Sequence, residues 1–233
     1  MVERRWSTSY KKEIAESRTR SSALLIDTLQ HCSHRVKTLV SAAAIGWYGP
    51  DEPGGKPFVE SWPAYPDFLG KTCEDWEASV EPATGLGIRL VKMRTGIVLS
   101  KEGGALKEFL KPLRVGVTAI LGTGEQVVSW IHIDDLCRLF ITALEEPDYS
   151  GAYNAVAPIP VTNRSLTLEL ARVVRGRFYL PVHVPAWLLR IVMGESSIEV
   201  LKSCTVSCDK VHKAGFTFLY PSIQSALQEL CRR

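Results

Sequence analysis

The sequence lacks a long apolar run, an apolar leader near its start and an excess of one charge, and each absence removes a class of protein. No uninterrupted apolar segment approaches the ~18–20 residues that a membrane-spanning helix needs, and residues 1–20 are polar and charged. The 28 basic and 25 acidic side chains leave a formal charge of only +3, without a long basic run. We therefore expect no membrane partner and no nucleic-acid partner.

The sequence also lacks the close-set cysteine pairs of a disulfide-stabilised or zinc-binding domain. Its six cysteines are scattered along the chain and are typical of reduced, mostly buried thiols, so we expect a cytoplasmic protein. Only Cys204, Cys208 and His212 have a spacing that stacks three metal ligands on one helical face. Three ligands are too few for a closed structural zinc site, and Asp209 is predicted to cap a helix inside this run. We therefore favour ordinary thiols and predict no metal site.

The residues that are present describe a globular chain with one sizeable core. Apolar residues make up 45% of the 233 positions and charged residues 23%. Helical periodicity is found over 7–29, 67–80, 103–113, 134–144 and 163–174, and short apolar strands are predicted over 36–45, 88–94 and 152–156. Strands and helices that alternate at this spacing predict an α/β fold with a doubly wound parallel sheet.

The character of the sequence changes after Gly176. Pro181 and Pro185 frame a short strand or loop, and an apolar helix is predicted over 186–193. A weaker helix over 197–203 follows, then a helix capped by Asp209 and a final one that starts at Pro221. We predict a boundary here, with a sheet domain over 1–175 and a small, mainly helical lobe over 176–233.

Residues 122–136 join a Gly-x-Gly turn, an extended segment and an acidic helix start, which is how an α/β protein builds the rim of a ligand cleft. Gln126 and Trp130 are our candidate substrate contacts within it. His132 could act as a base, but a single histidine at a strand end is more often structural, and we favour that role. Asp134 is interpreted as the N-cap of the following helix.

Arg94 is predicted to end a strand at the carboxyl edge of the sheet, where ligands of this architecture bind. Two roles remain open for it. It contacts an anionic group of a substrate or cofactor, or it forms a salt bridge to a neighbouring loop. Thr95 and Gly96 follow directly, and such a pair either lets the backbone approach a ligand closely or marks a plain strand-to-helix turn.

Several segments occur together in the order seen in a known family. They are Arg5-Trp-Ser7, Ser41-Ala-Ala-Ala-Ile-Gly-Trp-Tyr-Gly49, Asp67-Phe-Leu with Cys73-x-x-Trp-Glu77, Arg94-Thr-Gly-Ile-Val-Leu99, Gly122-x-Gly-x-Gln126-x-x-x-Trp-Ile-His-Ile-Asp-Asp135 and Tyr153-Asn-x-x-Ala-Pro158. Together these segments resemble the atypical extended short-chain dehydrogenase/reductases, specifically the nucleoside-diphosphate-sugar epimerase-like family that includes cell-division-inhibitor homologues.

The resemblance implies a Rossmann-like domain that binds NADP or NAD. It also implies hydride transfer on a small hydroxyl-bearing or sugar-nucleotide-like substrate. Family members begin with a strand and a Gly-x-x-Gly-x-x-Gly turn that holds the cofactor pyrophosphate, and this sequence contains no such turn. We therefore expect a partial, truncated Rossmann-like sheet over 1–175. The alternative function is that of a catalytically inactive homologue that acts as a binding or interaction module.

The resemblance further implies a serine or threonine at a strand end and a Tyr-x-x-x-Lys pair one helical turn apart. At the strand end this sequence has Ala43, so Ser41 is the nearest candidate. Lys71 has no tyrosine at the required offset, because Tyr65 precedes it by six positions. Ser41 and Lys71 are nevertheless the implied catalytic and cofactor-binding candidates, although a lysine at such a position is more often an ordinary exposed helix residue.

The resemblance adds cofactor contacts after the second strand. Arg94, Thr95 and Gly96 are the implied cofactor-binding residues there, because Gly96 would let the backbone approach a nicotinamide closely. Arg94, Gln126 and Trp130 are the candidate substrate contacts. Without the family's first strands, the strand over 36–45 would form an apolar sheet edge, which predicts self-association into a homo-oligomer.

Overall fold

The computed structural model describes residues 5–232 and shows an α/β fold built on parallel strands. The helices are α1 Thr8–His31, α2 Phe68–Val80, α3 Ala105–Leu113, α4 Ile133–Glu145, α5 Asn163–Arg175, α6 Ala186–Met193, α7 Ser197–Leu201, α8 Asp209–Lys213 and α9 Ile223–Leu230. The strands are β1 Thr38–Ala44, β2 Arg89–Thr95, β3 Ile97–Leu99, β4 Val117–Leu121, β5 Val127–Val128, β6 Trp130–His132, β7 Gly151–Ala155, β8 Val161–Thr162 and β9 Leu180–Val184.

The central sheet has the order β1, β2, β7, and both pairings are parallel. β3 pairs with β6 and β4 with β9 in parallel, while β5 and β8 form a short antiparallel pair. Because the central strands run in one direction, their carboxyl ends meet at one edge, where ligands of α/β proteins bind. The predicted α/β class with a parallel sheet is confirmed.

Helices cover both faces of the central sheet. On β2, Lys92 and Arg94 reach Glu77 of α2, whereas Met93 packs in a core with Leu139 of α4. Successive side chains of a strand point to opposite faces, so α2 and α4 lie on opposite sides of the sheet. α1 packs along α2 and adds a smaller core around Ile26, Leu29, Ala83 and Ile88.

Several predicted helix starts are corrected by the hydrogen bonds of the structure. α5 is capped by Thr162, whose side chain accepts from the Ser165 N–H, and the Asn163 side chain instead accepts from the Leu121 N–H. α4 is capped by His132 and not by Asp134, which lies in the first turn. For α8 and α9, the observed cap or start differs from the predicted one by one or two residues. α8 has Cys208 in the cap position, and α9 is capped by Ser222 rather than started by Pro221.

The C-terminal part is mainly helical, as predicted, but it also contributes a strand. β9 pairs with β4, and α9 packs on α5, so both elements contact the part of the chain before residue 176. The boundary at residue 176 stays a prediction. In the described part of the chain, β1 has β2 on one side and no strand on the other. No helix within residues 5–232 combines the length and apolarity required to cross a membrane.

Candidate functional site

A cavity lies at the carboxyl ends of the strands. Its volume is about 120 Å³, and its walls include Ile45 and Gly46 after β1, Ile97 after β2, and Phe109 of α3. α7 and the residues that follow it form the opposite wall. The lining is largely apolar, and its polar members are Gln126, Ser129, Asn163, Glu199 and Lys202. An apolar pocket with a few convergent polar groups is the usual form of a small-molecule site.

Gln126 connects two segments of the cavity wall by hydrogen bonds. It is 8% exposed, and its side-chain amide donates to the carbonyls of Leu121 and Val200, both at 3.0 Å. The β5 residue Val127 donates its N–H to Ser203 Oγ at 2.7 Å. These bonds fix α7 and the residues after it against β4 and β5. Gln126 therefore lines the cavity, and its amide N–H groups serve the fold. The substrate contact expected for Gln126 stays a prediction.

Arg94, near the carboxyl end of β2, forms a buried ion pair with Glu77. It is 3% exposed and binds Glu77 of α2 through two hydrogen bonds, of 2.6 Å from Nε and 3.1 Å from Nη2. The guanidinium also stacks on Trp47, with Cζ 3.6 Å from the ring centroid. Burial alone would lower the pKa of Arg94, but its hydrogen bonds and the charge of Glu77 outweigh burial and raise it. Of the two roles left open, the salt bridge is the one seen, although its partner lies on a helix.

The ion pair continues into a polar network at the end of β7. Arg94 Nη1 donates to the Tyr48 hydroxyl at 3.1 Å, and that hydroxyl donates to Asn154 Oδ1 at 2.7 Å. The Asn154 N–H in turn donates to Glu60 Oε1 at 2.8 Å. Burial is the main cause that raises the pKa of Tyr48 to about 12, against the lowering effect of Arg94. The network joins the ends of β1, β2 and β7 to the loop before α2.

The stability of the protein should depend on pH through Tyr48. Its pKa is raised from 10 to about 12, so the folded state keeps a proton that the unfolded state releases. The contribution is fully present below about pH 10 and is lost as the pH rises through about 12, at about 1.4 kcal/mol per pH unit. We measure the free energy of unfolding by urea denaturation at both ends of this pH range. Between them, Tyr48→Phe should lose about 3 kcal/mol less than the wild type loses. The control Tyr65→Phe, from a ring that is 42% exposed, should follow the wild type, and a matching slope for Tyr48→Phe would contradict the prediction.

Thr95 and Gly96 lie where β2 passes into β3, so a strand follows them and not the helix of the expected strand-to-helix turn. The Thr95 hydroxyl donates to the Ala43 carbonyl at 2.9 Å, which ties the ends of β2 and β1 together. A Cβ added to Gly96 would lie 2.7 Å from the Ser129 carbonyl oxygen and 2.8 Å from Val156 Cγ1. Glycine is therefore needed here for the close approach of protein backbone and side chains. The nicotinamide contact expected for these two residues stays a prediction.

Trp130 is part of the core. It is fully buried in a cluster with Leu166, Leu170 and Leu227, and its indole N–H donates to the Ile159 carbonyl at 3.0 Å. It does not line the cavity. This placement argues against the substrate contact expected for Trp130, because neither its ring nor its N–H is available to a ligand.

Ser41 and Lys71 do not come together at the cavity. Ser41 lies within β1, and its hydroxyl donates to the Ala42 carbonyl at 3.2 Å. Lys71 is exposed on α2 and forms ion pairs with Glu74 and Asp75 at 3.0 and 2.9 Å. Neither residue lines the cavity. Lys71 thus has the surroundings of an ordinary exposed helix lysine, which was the alternative to a catalytic role.

His132 has a structural environment, as favoured. Its Nδ1 accepts from the Asp134 N–H at 3.0 Å, and its Nε2 lies 3.1 Å from Glu229 Oε2. Among residues 5–232, the group of His132, Asp134 and Glu229 is the one with ligand atoms close enough for a metal ion. Both ring nitrogens of His132 are already engaged. Cys204, Cys208 and His212 do not form such a group in the described part of the chain.

Sequence reasoning missed the two charged residues of the cavity wall. Glu199 and Lys202 form an ion pair of 2.8 Å, with side chains 20% and 10% exposed. Lys202 Nζ also donates to the Tyr48 carbonyl at 3.5 Å. Glu199 lies on α7 and Lys202 directly follows its last residue. A glutamate and a lysine three positions apart are common as exposed helix ion pairs, so no signal in the sequence marked these two.

The parallel sheet, the helices on both of its faces and the cavity at the strand ends define a Rossmann-like α/β protein. A sequence model of the NAD-dependent epimerase/dehydratase family matches residues 3–156, and the chain belongs to this family. A second model, a domain of unknown function (DUF1731), matches residues 184–230. The resemblance found in the sequence is thereby confirmed.

The relatives are similar over almost the whole chain. The chain is 35% identical over 231 residues to the chloroplastic epimerase family protein SDR39U1 homologue of Arabidopsis thaliana. The aligned region covers 98% of this chain and 65% of that relative. It is 34% identical to the epimerase family protein SH2119 of Staphylococcus haemolyticus, over 98% of this chain and 76% of that relative. The crystal structure of human epimerase family protein SDR39U1 (isoform 2) with NADPH superposes on this chain with a TM-score of 0.90 at 29% identity. The match covers 98% of this chain and 76% of the human chain. The chain thus spans about two thirds to three quarters of these relatives' lengths.

Proposed function

We propose that this chain belongs to an NAD(P)-dependent oxidoreductase of the epimerase type that acts on a small hydroxyl-bearing molecule. The observation that carries the proposal is the largely apolar cavity at the carboxyl ends of the parallel strands, where α/β proteins bind ligands. The similarity to a relative solved with NADPH supports NADP or NAD as the cofactor.

The residues present fit one end of such a cofactor. Thr95 and Gly96 precede Ile97, which lines the cavity, so a nicotinamide ring held by them would lie beside the cavity and leave its volume of about 120 Å³ to the substrate. The sequence contains no Gly-x-x-Gly-x-x-Gly turn to hold a pyrophosphate. Ile97, Thr95 and Gly96 would therefore hold the nicotinamide end, and the cofactor would supply the hydride. Arg94 would act by positioning Tyr48 and the strand ends.

Isothermal titration calorimetry with NADPH and NADH tests the cofactor. We expect the 233-residue chain to bind at least one of them, and to bind nicotinamide mononucleotide more tightly than ADP-ribose, which lacks the nicotinamide. A thermal-shift assay at millimolar cofactor provides the second readout. No heat and no shift with either dinucleotide would overturn the proposal for this chain.

A second candidate function is a catalytically inactive homologue that acts as a binding or interaction module. The positions of Ser41 and Lys71 favour it, because neither side chain reaches the cavity. The two functions differ in one measurement. Cofactor bound without any change in NADPH absorbance, across a panel of small aldehydes and ketones, would favour the inactive module.

Two further expectations remain proposals. The six cysteines are free, as expected for a cytoplasmic protein, and the location of a fluorescent fusion in cells would test this. The open edge of β1 supports self-association into a homo-oligomer, and a monomeric mass in size-exclusion chromatography with light scattering would contradict it.

A further inference from the structure

Glu199 and Lys202 are the only charged residues in the wall of the cavity, within the part of the chain that the structure describes. Their side chains are largely buried and lie 2.8 Å apart, so the charges of the wall cancel. A buried ion pair costs desolvation free energy that is recovered only with good geometry and further hydrogen bonds. A ligand that bonds to both groups would provide such bonds.

The pair is held rigidly in place. Gln126 binds the Val200 carbonyl, and the Ser129 hydroxyl donates to the Cys204 carbonyl at 2.8 Å, so the chain is fixed on both sides of Lys202. Lys202 Nζ is further oriented by the Tyr48 carbonyl. Binding groups that are fixed before a ligand arrives lose little conformational entropy on binding.

The charges and the volume define the class of ligand. An anion beside Lys202 would meet the Glu199 carboxylate, and a cation beside Glu199 would meet the ammonium. A neutral molecule avoids both repulsions when it offers an acceptor to Lys202 and a hydroxyl donor to Glu199. A cavity of about 150 Å³ holds one benzene molecule of six non-hydrogen atoms, so a volume of about 120 Å³ suits a ligand of about five.

We propose that Glu199 and Lys202 form a binding site for small neutral hydroxy ketones and hydroxy aldehydes. The carbonyl oxygen accepts from Lys202 Nζ, the neighbouring hydroxyl donates to Glu199, and the carbon chain packs on the apolar wall. The inference rests on the proposed function, for which it names the substrate class.

Hydroxyacetone is the probe, because it has five non-hydrogen atoms and no charge. Binding is measured without cofactor by ¹H–¹⁵N NMR titration of the full chain. We expect hydroxyacetone to bind more tightly than acetone, which lacks the hydroxyl, and than pyruvate, which is an anion of similar size. Lys202→Met should weaken its binding at least tenfold, and Glu199→Gln several-fold.

The matched controls are Lys111→Met and Glu108→Gln, which remove an exposed ion pair of the same three-residue spacing on α3 and should leave binding unchanged. If the spectrum of Lys202→Met shows a loss of folding, Lys202→Gln replaces it. Equal binding of acetone, or tighter binding of pyruvate, would overturn the proposal. Tighter binding of nicotinamide, lost in Lys202→Met, would overturn it by assigning the pair to the cofactor.

The outcome is separable from that of the proposed function. Hydroxyacetone binding that depends on Lys202, in a chain that binds neither NADPH nor NADH, would support this site and contradict the oxidoreductase. Cofactor binding without hydroxyacetone binding would overturn this site alone.

Discussion

Replacing Arg94 by methionine is expected to lower the free energy of unfolding by about 3–5 kcal/mol, the range for removing one partner of a buried ion pair. Arg94 and Glu77 are 3% and 5% exposed, so solvent does not screen the pair. In the variant the Glu77 carboxylate would remain buried, with Lys92 Nζ at 3.5 Å as its remaining charged partner. Tyr48 would also lose the donor that orients its hydroxyl. Urea denaturation at neutral pH measures the change.

Lys111→Met is the control for this prediction, since it removes an ion pair whose side chains are more than 60% exposed. We expect it to change stability by less than about 1 kcal/mol. The double variant Arg94→Met/Glu77→Leu should recover part of the loss, because no charge is then left buried without a partner. A loss below about 1 kcal/mol for Arg94→Met alone would contradict the structural role.

The same variant distinguishes the two roles that the sequence left open. If Arg94 only positions the strand ends, the folded fraction of Arg94→Met should bind the cofactor as the wild type does. Any drop in apparent affinity should then equal the drop in folded fraction. Arg94→Lys would restore a charge near Glu77 but not the two parallel hydrogen bonds of a guanidinium, so it should recover little stability. Weaker NADPH binding with unchanged stability would favour contact with an anionic group.

The elements could be predicted from the sequence because their patterns are local. The apolar run over 36–45 and the periodic face of 67–80 correspond to β1 and α2, with Asp67 in the capping position. The exact helix starts were less predictable, because neighbouring polar residues compete for the same N–H groups. In α5, Thr162 caps the helix, since the Asn163 side chain is drawn to Leu121, 42 residues away.

The site was only partly predictable because its geometry depends on distant contacts. The sequence correctly placed Arg94 at a strand end, but its partner Glu77 lies 17 residues earlier on a helix. Glu199 and Lys202 reach the cavity because Gln126 binds a carbonyl 74 residues further along the chain. No motif records that contact.

The Asp134-Asp135 pair illustrates the same limit. The first residue was interpreted as the helix cap, yet His132 takes that role. The second is fully buried, and its carboxylate accepts from the N–H groups of Leu219 and Tyr220 at 2.8 and 2.9 Å. Asp135 therefore ties the segment before α9 to α4. Adjacent aspartates look alike in a sequence, and only the packing of the C-terminal part separates their roles.

Trp130→Ala is expected to lower the free energy of unfolding by about 3–5 kcal/mol, because it removes the largest of the fully buried side chains described and leaves a cavity among leucines. It would also leave the Ile159 carbonyl without its donor. Trp130→Phe fills more of the space and should cost less. Thermal and urea denaturation measure both losses.

Trp187→Ala is the matched control, since Trp187 is 62% exposed on α6 and its removal should change stability by less than about 1 kcal/mol. Because Trp130 does not line the cavity, Trp130→Phe should bind hydroxyacetone and NADPH as the wild type does. Unchanged stability together with weakened binding would instead give Trp130 the substrate contact expected for it within residues 122–136. A stability loss without a binding loss would assign the Trp130 side chain to the core that supports β6 and, through β3, the strand-end residues Thr95 and Gly96.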